Sequence, residues 1–147
     1  MFKHILVPTD GSPLSQEAVK RAIAFAKEAG ADITFFYAKP EYPVAFYGEG
    51  ALIDPTTPEK FAEMAEQQAQ TVLNSCAQQA ADALVSCTLK SETSDIPYEA
   101  IIAAAESGGC DLIFMASHGR RGISGLLLGS ETQKVLTHSR IPVLVYR

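Results

Sequence analysis

The sequence predicts an α/β fold: a single doubly wound, Rossmann-like parallel sheet of five strands with four helices, in the strand order 3-2-1-4-5. Short, nearly continuous apolar runs alternate with longer segments whose apolar residues recur every three to four positions, the pattern of a buried parallel sheet covered by helices on both faces. Loop-like turns follow two of those runs, "PTDGS" (8 to 12) and "ASHGRRG" (116 to 122), and sheets of this kind place ligands outside the carboxyl ends of their central strands. A chain of 147 residues, 47% apolar and 20% charged, fits one domain spanning 1–147.

The elements follow in order. "HILVP" (4 to 8) is a short buried strand. The segment from 12 to 30 is a one-sided helix with Leu14, Ala18, Ala22, Phe25, Ala26 and Ala29 on its apolar face. Ser12 can cap it, Pro13 suits its first turn, and Gly30 suits a left-handed stop. "ITFFYA" (33 to 38) is the second strand. From 39 to 58 runs a stretch bearing prolines, glycines and aromatics that is long for a loop, and reads as a lid, a partner surface or a mobile flap. A helix is predicted over 59–82, with Phe61, Ala65, Ala69, Val72, Leu73, Cys76 and Ala80 at helical spacing. A half-exposed strand is predicted over 84–90, a helix from Pro97 to the glycines at 108 and 109, and a central strand over 111–117. The last helix should open at Gly129 or Ser130 and end by Ser139, followed by a strand over 142–146 whose first residue, Pro142, needs no donor.

Charge and cysteine usage narrow the function classes. A net charge of −5 and a pI near 5.1 provide no basic field for nucleic acid. Cys76, Cys87 and Cys110 show neither the pairing nor the spacing of a zinc or redox site and read as reduced thiols. "MFKHILVP" is too short and too soon interrupted for a signal peptide, and no apolar run approaches the roughly 18 residues a membrane helix needs. The expectation is a soluble, cytoplasmic protein without a membrane partner.

The glycine stretch from 116 to 133 calls for a phosphate reading, but the two sharpest motifs fail. A Walker A loop needs Gly-Lys, which is absent, and a GxGxxG fingerprint belongs after the first strand, whereas Gly119, Gly122, Gly125 and Gly129 follow the fourth. What remains is Gly119, nine residues, then Gly129-Ser130 opening a helix. The bare N–H groups of such a helix start, at Gly129, Ser130, Glu131 and Thr132, can bind an anion without lysine, and the hydroxyls of Ser130 and Thr132 add donors. The same residues also read as a plain helix start beside core leucines.

"ILVPTDGS" (5 to 12), "SHGRRGISGLLLGS" (117 to 130) and "IPVLVYR" (141 to 147) resemble the universal stress protein family along essentially the whole chain. That resemblance implies an adenine nucleotide alpha hydrolase-like fold binding ATP, or AMP or ADP, with Mg²⁺ or Mn²⁺ held through the phosphates and no metal ligand from side chains. It implies that Pro8, Thr9 and Asp10 border the adenosine and that the backbone of Ala38 reads the adenine edge. Met115, Ala116, His118 and Gly119 would line the ribose and phosphate path, and Gly129, Ser130, Glu131 and Thr132 would hold the phosphates, with the Glu131 carboxylate turned away. The family's ATP-binding branch has glycine where this chain has Ala116. If that position is left-handed, the strain is about 1 kcal/mol, or about five-fold in affinity, and Ala116→Gly should tighten binding.

Other residues admit two readings. Asp10 is a ligand contact or a turn-former. His118 is a phosphate contact or a solvated loop residue. Arg120 and Arg121 are surface charges or close over phosphates. No GxSxG nucleophile turn exists and no general base is evident, so no catalytic residue is assigned and any ATP hydrolysis should be slow. The last strand would leave an open edge, which an antiparallel homodimer contact through 142–146 covers. The sequence thus predicts an adenine nucleotide-binding, dimeric regulatory module, with a nucleotide-free scaffold of the same fold and a weak ATPase as alternatives.

Overall fold

A computed structural model describes residues 1–43, 56–119 and 128–147. Arg120, Arg121, Gly122, Gly125 and the centre of the 39–58 stretch lie outside the described residues. The elements are β1 (His4–Pro8), α1 (Pro13–Ala29), β2 (Asp32–Lys39), α2 (Pro58–Asp82), β3 (Cys87–Thr93), α3 (Pro97–Ser107), β4 (Leu112–Ala116), α4 (Ser130–His138) and β5 (Val143–Tyr146). They form one sheet in the order β3-β2-β1-β4-β5, with every pairing parallel.

The near-continuous apolar strands are explained by burial on both faces. Val7, Phe35 and Phe114 pack with Val19, Ala22 and Leu73 of α1 and α2 on one side. Leu6, Phe36 and Ile113 pack with Ile101, Ala104 and Val135 of α3 and α4 on the other. Adjacent residues such as Leu6 and Val7, or Phe35 and Phe36, therefore feed opposite cores, as the strand period of two requires.

Local punctuation sets where the helices begin and end. The Ser12 side chain accepts from the N–H of Ser15, and Gly30 closes α1 with φ of 66°. Thr57 caps α2 by accepting from the N–H of Lys60. The end of α2 corrects the predicted start of the third strand: Leu84 is left-handed, with φ of 62°, its N–H donates to the Ala81 carbonyl and that of Val85 to Ala80. This is a Schellman stop without glycine, so Leu84 and Val85 belong to the turn that ends α2 and β3 begins at Cys87.

Asp111 secures the centre of the sheet. Its carboxylate accepts from the N–H groups of Lys3, at 2.8 and 3.1 Å, and His4, at 3.0 Å. Desolvation works to raise its pKa, but the His4 and Lys3 hydrogen bonds outweigh it and hold the carboxyl below its ordinary value. The contact pins the start of β1 against β4, where Ile5 pairs with Leu112, and so aligns the two strand ends that carry the turns singled out above.

Candidate functional site

At the carboxyl ends of β1 and β4, where the winding order reverses, lies a cleft of about 540 Å³. Among the described residues, all those the sequence singles out for the site line it: Pro8, Thr9 and Asp10 at the end of β1, Ala38 in β2, Met115, Ala116, His118 and Gly119 around the end of β4, and Gly129, Ser130, Glu131 and Thr132 at the start of α4. Its volume lies within the range of small-molecule sites. Sequence reasoning missed Ser15, Phe36, Pro40, Ser94, Asp95, Pro97 and Ile101, which also line it.

One end of the cleft exposes a strip of strand backbone. β2 continues to Lys39, but β1 stops at Pro8, and the last bond between them runs from the Thr9 N–H to the Phe36 carbonyl, 2.9 Å. Alternate residues of a strand direct their N–H and C=O groups to the same side. Lys39 bonds toward β3, accepting from the Ser94 N–H, so Ala38 directs its donor and acceptor toward the vacated β1 side. Phe36, Met115 and Ile101 supply apolar surface nearby.

The other end is the start of α4. Gly129 stands at the N-cap with φ of −62° and ψ of 152° and supplies no side-chain hydrogen bond. Its own N–H donates to the Ser117 carbonyl at 2.7 Å, and the first bond onto the helix runs from the Gln133 N–H to the Gly129 carbonyl. The N–H groups of Ser130, Glu131 and Thr132 therefore have no intrahelical acceptor. The described lining residues include no lysine or arginine, and these amides supply donors that can meet negative charge.

Close approach explains two of the glycines. A Cβ at Gly119 would collide with the carboxylate of Asp10, and one at Gly129 would come within 3.0 to 3.2 Å of His118 Cα and Cβ and the Ser117 carbonyl. Asp10 is held by the Ser12 N–H, which donates to Oδ1 at 2.9 Å. It is thus both a turn-former and a wall of the cleft. Thr9 and Ser15, both buried, share a hydroxyl hydrogen bond beneath it. His118 lies against Ser117, its Nδ1 3.2 Å from Oγ, rather than free in solvent.

The structure corrects two expectations. The Thr132 hydroxyl is no ligand donor: it is 2% exposed and donates to the Ala116 carbonyl at 3.0 Å, because the first turn of α4 packs onto the end of β4. Ala116 is not left-handed. It is a β4 strand residue paired with Tyr146, and among the described residues Leu84 is the one non-glycine with positive φ, so the strain argument for Ala116→Gly has no basis. The Glu131 carboxylate accepts from the Tyr98 N–H in the first turn of α3, at 2.9 Å.

The described residues gather no group of three His, Cys, Asp or Glu side chains suited to a metal ion. All three cysteines are free thiols, and burial, with Cys87 next in effect, pushes the Cys76 thiol up to about 11. No helix among the described residues is long and apolar enough to cross a membrane.

A sequence profile of the universal stress protein family matches residues 1–147. A universal stress protein of Methanocaldococcus jannaschii is 32% identical over 148 residues, an alignment covering all of this chain and 83% of that protein. Two solved structures share the fold. One is the universal stress protein of Archaeoglobus fulgidus in complex with dAMP, with a TM-score of 0.69 and 16% identity, covering 99% of this chain and 98% of that one. The other is a universal stress protein family member of Arabidopsis thaliana with AMP bound, with a TM-score of 0.62 and 18% identity, covering 97% and 90%.

Proposed function

Because this chain belongs to the universal stress protein family, we propose that it is a cytoplasmic regulatory module that binds an adenine nucleotide rather than turning one over as an enzyme. The carrying observation is the start of α4, whose glycine cap leaves backbone N–H groups without a side-chain acceptor at the edge of a cleft of nucleotide size. The phosphates dock on the amides of Ser130, Glu131 and Thr132. The ribose lies against Asp10 and Gly119, which touch one another in the cleft wall. The base lies against Phe36, Ile101 and Met115, where the N–H of Ala38 donates to adenine N1 and its carbonyl accepts from the exocyclic amine. The dAMP and AMP held by the two relatives of the same fold support this ligand class.

ATP, ADP and AMP share the groups this arrangement reads. A Mg²⁺ or Mn²⁺ ion accompanying a triphosphate would take its ligands from phosphate oxygens, neutralising charge beside Asp10. Ser117, which pairs with His118, is not among the described lining residues, and those residues show no hydrogen-bonded nucleophile and histidine pair, which supports binding without efficient hydrolysis.

The module works as a homodimer in this reading. β5 pairs with β4 on one side, and Val143 to Tyr146 are all half-buried, so a second copy can add its own β5 to the open edge. Sedimentation at micromolar concentration should give the dimer mass.

The binding reading is tested by mass spectrometry of gently purified protein followed by calorimetric titration. Adenine nucleotides should be carried over or bind, and GMP should not, because guanine presents a donor at N1 and an acceptor at O6, the reverse of the Ala38 pattern. Failure of ATP, ADP and AMP alike would leave the nucleotide-free scaffold as the function.

A further inference from the structure

The start of α3 lacks a cap of its own. Ile96 stands at its N-cap and supplies no side-chain hydrogen bond, yet the N–H of Tyr98 in the first turn is satisfied. The acceptor comes from another helix: Oε2 of Glu131, 33 residues along the chain, at 2.9 Å. The other carboxylate oxygen lies 3.4 Å from Lys134 Nζ, one turn along α4. Lys134 also stands over the Tyr98 ring, 5.6 Å from its centroid, and the Tyr98 ring stacks on His138 at 5.1 Å. One face of α4, at Glu131, Lys134 and His138, is therefore fastened to a single residue of α3.

The arrangement matters because both helix starts line the same cleft. Pro97 and Ile101 of α3 form part of the apolar wall, while the N–H of Glu131 belongs to the amide cluster of α4. We propose that Glu131 is a positioning residue: its carboxylate caps α3 from α4 and so sets the width of the base end of the cleft from the phosphate end. A carboxylate at a helix N-terminus interacts favourably with the partial positive charge there, so the α3 contact also draws negative charge away from where a phosphate docks. The inference rests on the adenine nucleotide reading and adds to it a mechanical link between the two ends of the ligand.

The sign of one substitution separates positioning from simple repulsion. If the carboxylate acted only as a charge near the phosphate, Glu131→Ala would tighten AMP and leave adenosine, which has no phosphate, unchanged. If it holds the α3 wall, Glu131→Ala weakens adenosine and AMP together, each by roughly five-fold, the fold-change equivalent to loss of one helix cap. Glu131→Gln keeps an acceptor oxygen and should recover most of that loss.

The experiment is calorimetric titration of wild type, Glu131→Ala and Glu131→Gln with adenosine and with AMP, alongside amide hydrogen exchange of Tyr98 in the ligand-free proteins. The expected result is weakening of both ligands in Glu131→Ala, recovery in Glu131→Gln, and Tyr98 exchange faster in Glu131→Ala by about ten-fold, as local opening of the first turn becomes easier. Unchanged Tyr98 exchange, or unchanged adenosine affinity with tighter AMP, overturns the proposal. Wild type binding neither ligand overturns the nucleotide reading itself, and with it the coupling, a result distinct from a normal wild type beside an unaffected Glu131→Ala.

Discussion

The hydroxyl of Thr132 donates to the main-chain carbonyl of Ala116 at 3.0 Å, joining the first turn of α4 to the last residue of β4. Both residues are buried, so the bond fixes where the helix start sits relative to the sheet. Thr132→Val keeps the shape and strands the Ala116 carbonyl, at a cost of about 1 to 3 kcal/mol. Thr132→Ser should recover most of it. Urea midpoints of the two variants check this, and an unchanged midpoint in Thr132→Val would show the bond to be idle.

The two close-packed glycines should respond unequally to alanine. At Gly119 the obstacle is the end of the Asp10 side chain, which can swing, whereas at Gly129 it is the backbone and Cβ of His118, which cannot. Gly119→Ala should cost about 1 kcal/mol and Gly129→Ala about 3, the low and high ends of overpacking. Thermal unfolding of both variants measures the order, and equal losses would contradict the steric account.

Ala116→Gly relieves no strain, since Ala116 sits in regular strand conformation. Glycine there should lower stability by about 0.5 to 1 kcal/mol through lost backbone order. Denaturant unfolding measures it, and a gain in stability would restore the strain argument.

Leu84 offers the opposite case. It is left-handed and 89% exposed, so its side chain buries little and strains the backbone. Leu84→Gly removes about 1 to 2 kcal/mol of strain. Part is returned as unfolded-state entropy, leaving a net gain of about 0.5 to 1 kcal/mol. A lower melting temperature would contradict the assigned helix stop.

Cys76 gives the stability a pH dependence at the alkaline end. Its thiol ionises near 9.0 when free and only near about 11 in the fold, where burial disfavours the thiolate. The folded state thus prefers the neutral form, and this contribution is intact below about pH 9 and is lost as pH rises toward about 11. Cys76→Ala should show a smaller fall in stability between about pH 8 and about pH 10.5 than wild type, and equal slopes would rule the contribution out.

Much of this was legible in the sequence because the relevant signals are local. The apolar runs marked the strands, Ser12-Pro13 and Gly30 bounded α1, and the turns at 8 to 12 and 116 to 122, the latter described as far as Gly119, fell at the two strand ends that form the cleft. The start of β3 was misread because a left-handed leucine carries no glycine signal, and the pair Leu84-Val85 resembles the beginning of a strand. Ser15, Pro97 and Ile101 were missed because they are ordinary helix residues that enter the cleft only through how α1 and α3 lie on the sheet. The partner of the Thr132 hydroxyl was equally invisible, since it depends on helix packing against β4 rather than on neighbours in the chain.

The most direct measurement is an amide correlation spectrum of the protein titrated with AMP and, separately, with adenosine. The amides of Ser130, Glu131 and Thr132 should move downfield with AMP, as N–H groups without an intrahelical acceptor gain a phosphate oxygen, and stay nearly still with adenosine, while Ala38 moves with both. AMP binding that leaves those three amides in place would contradict the account at its centre.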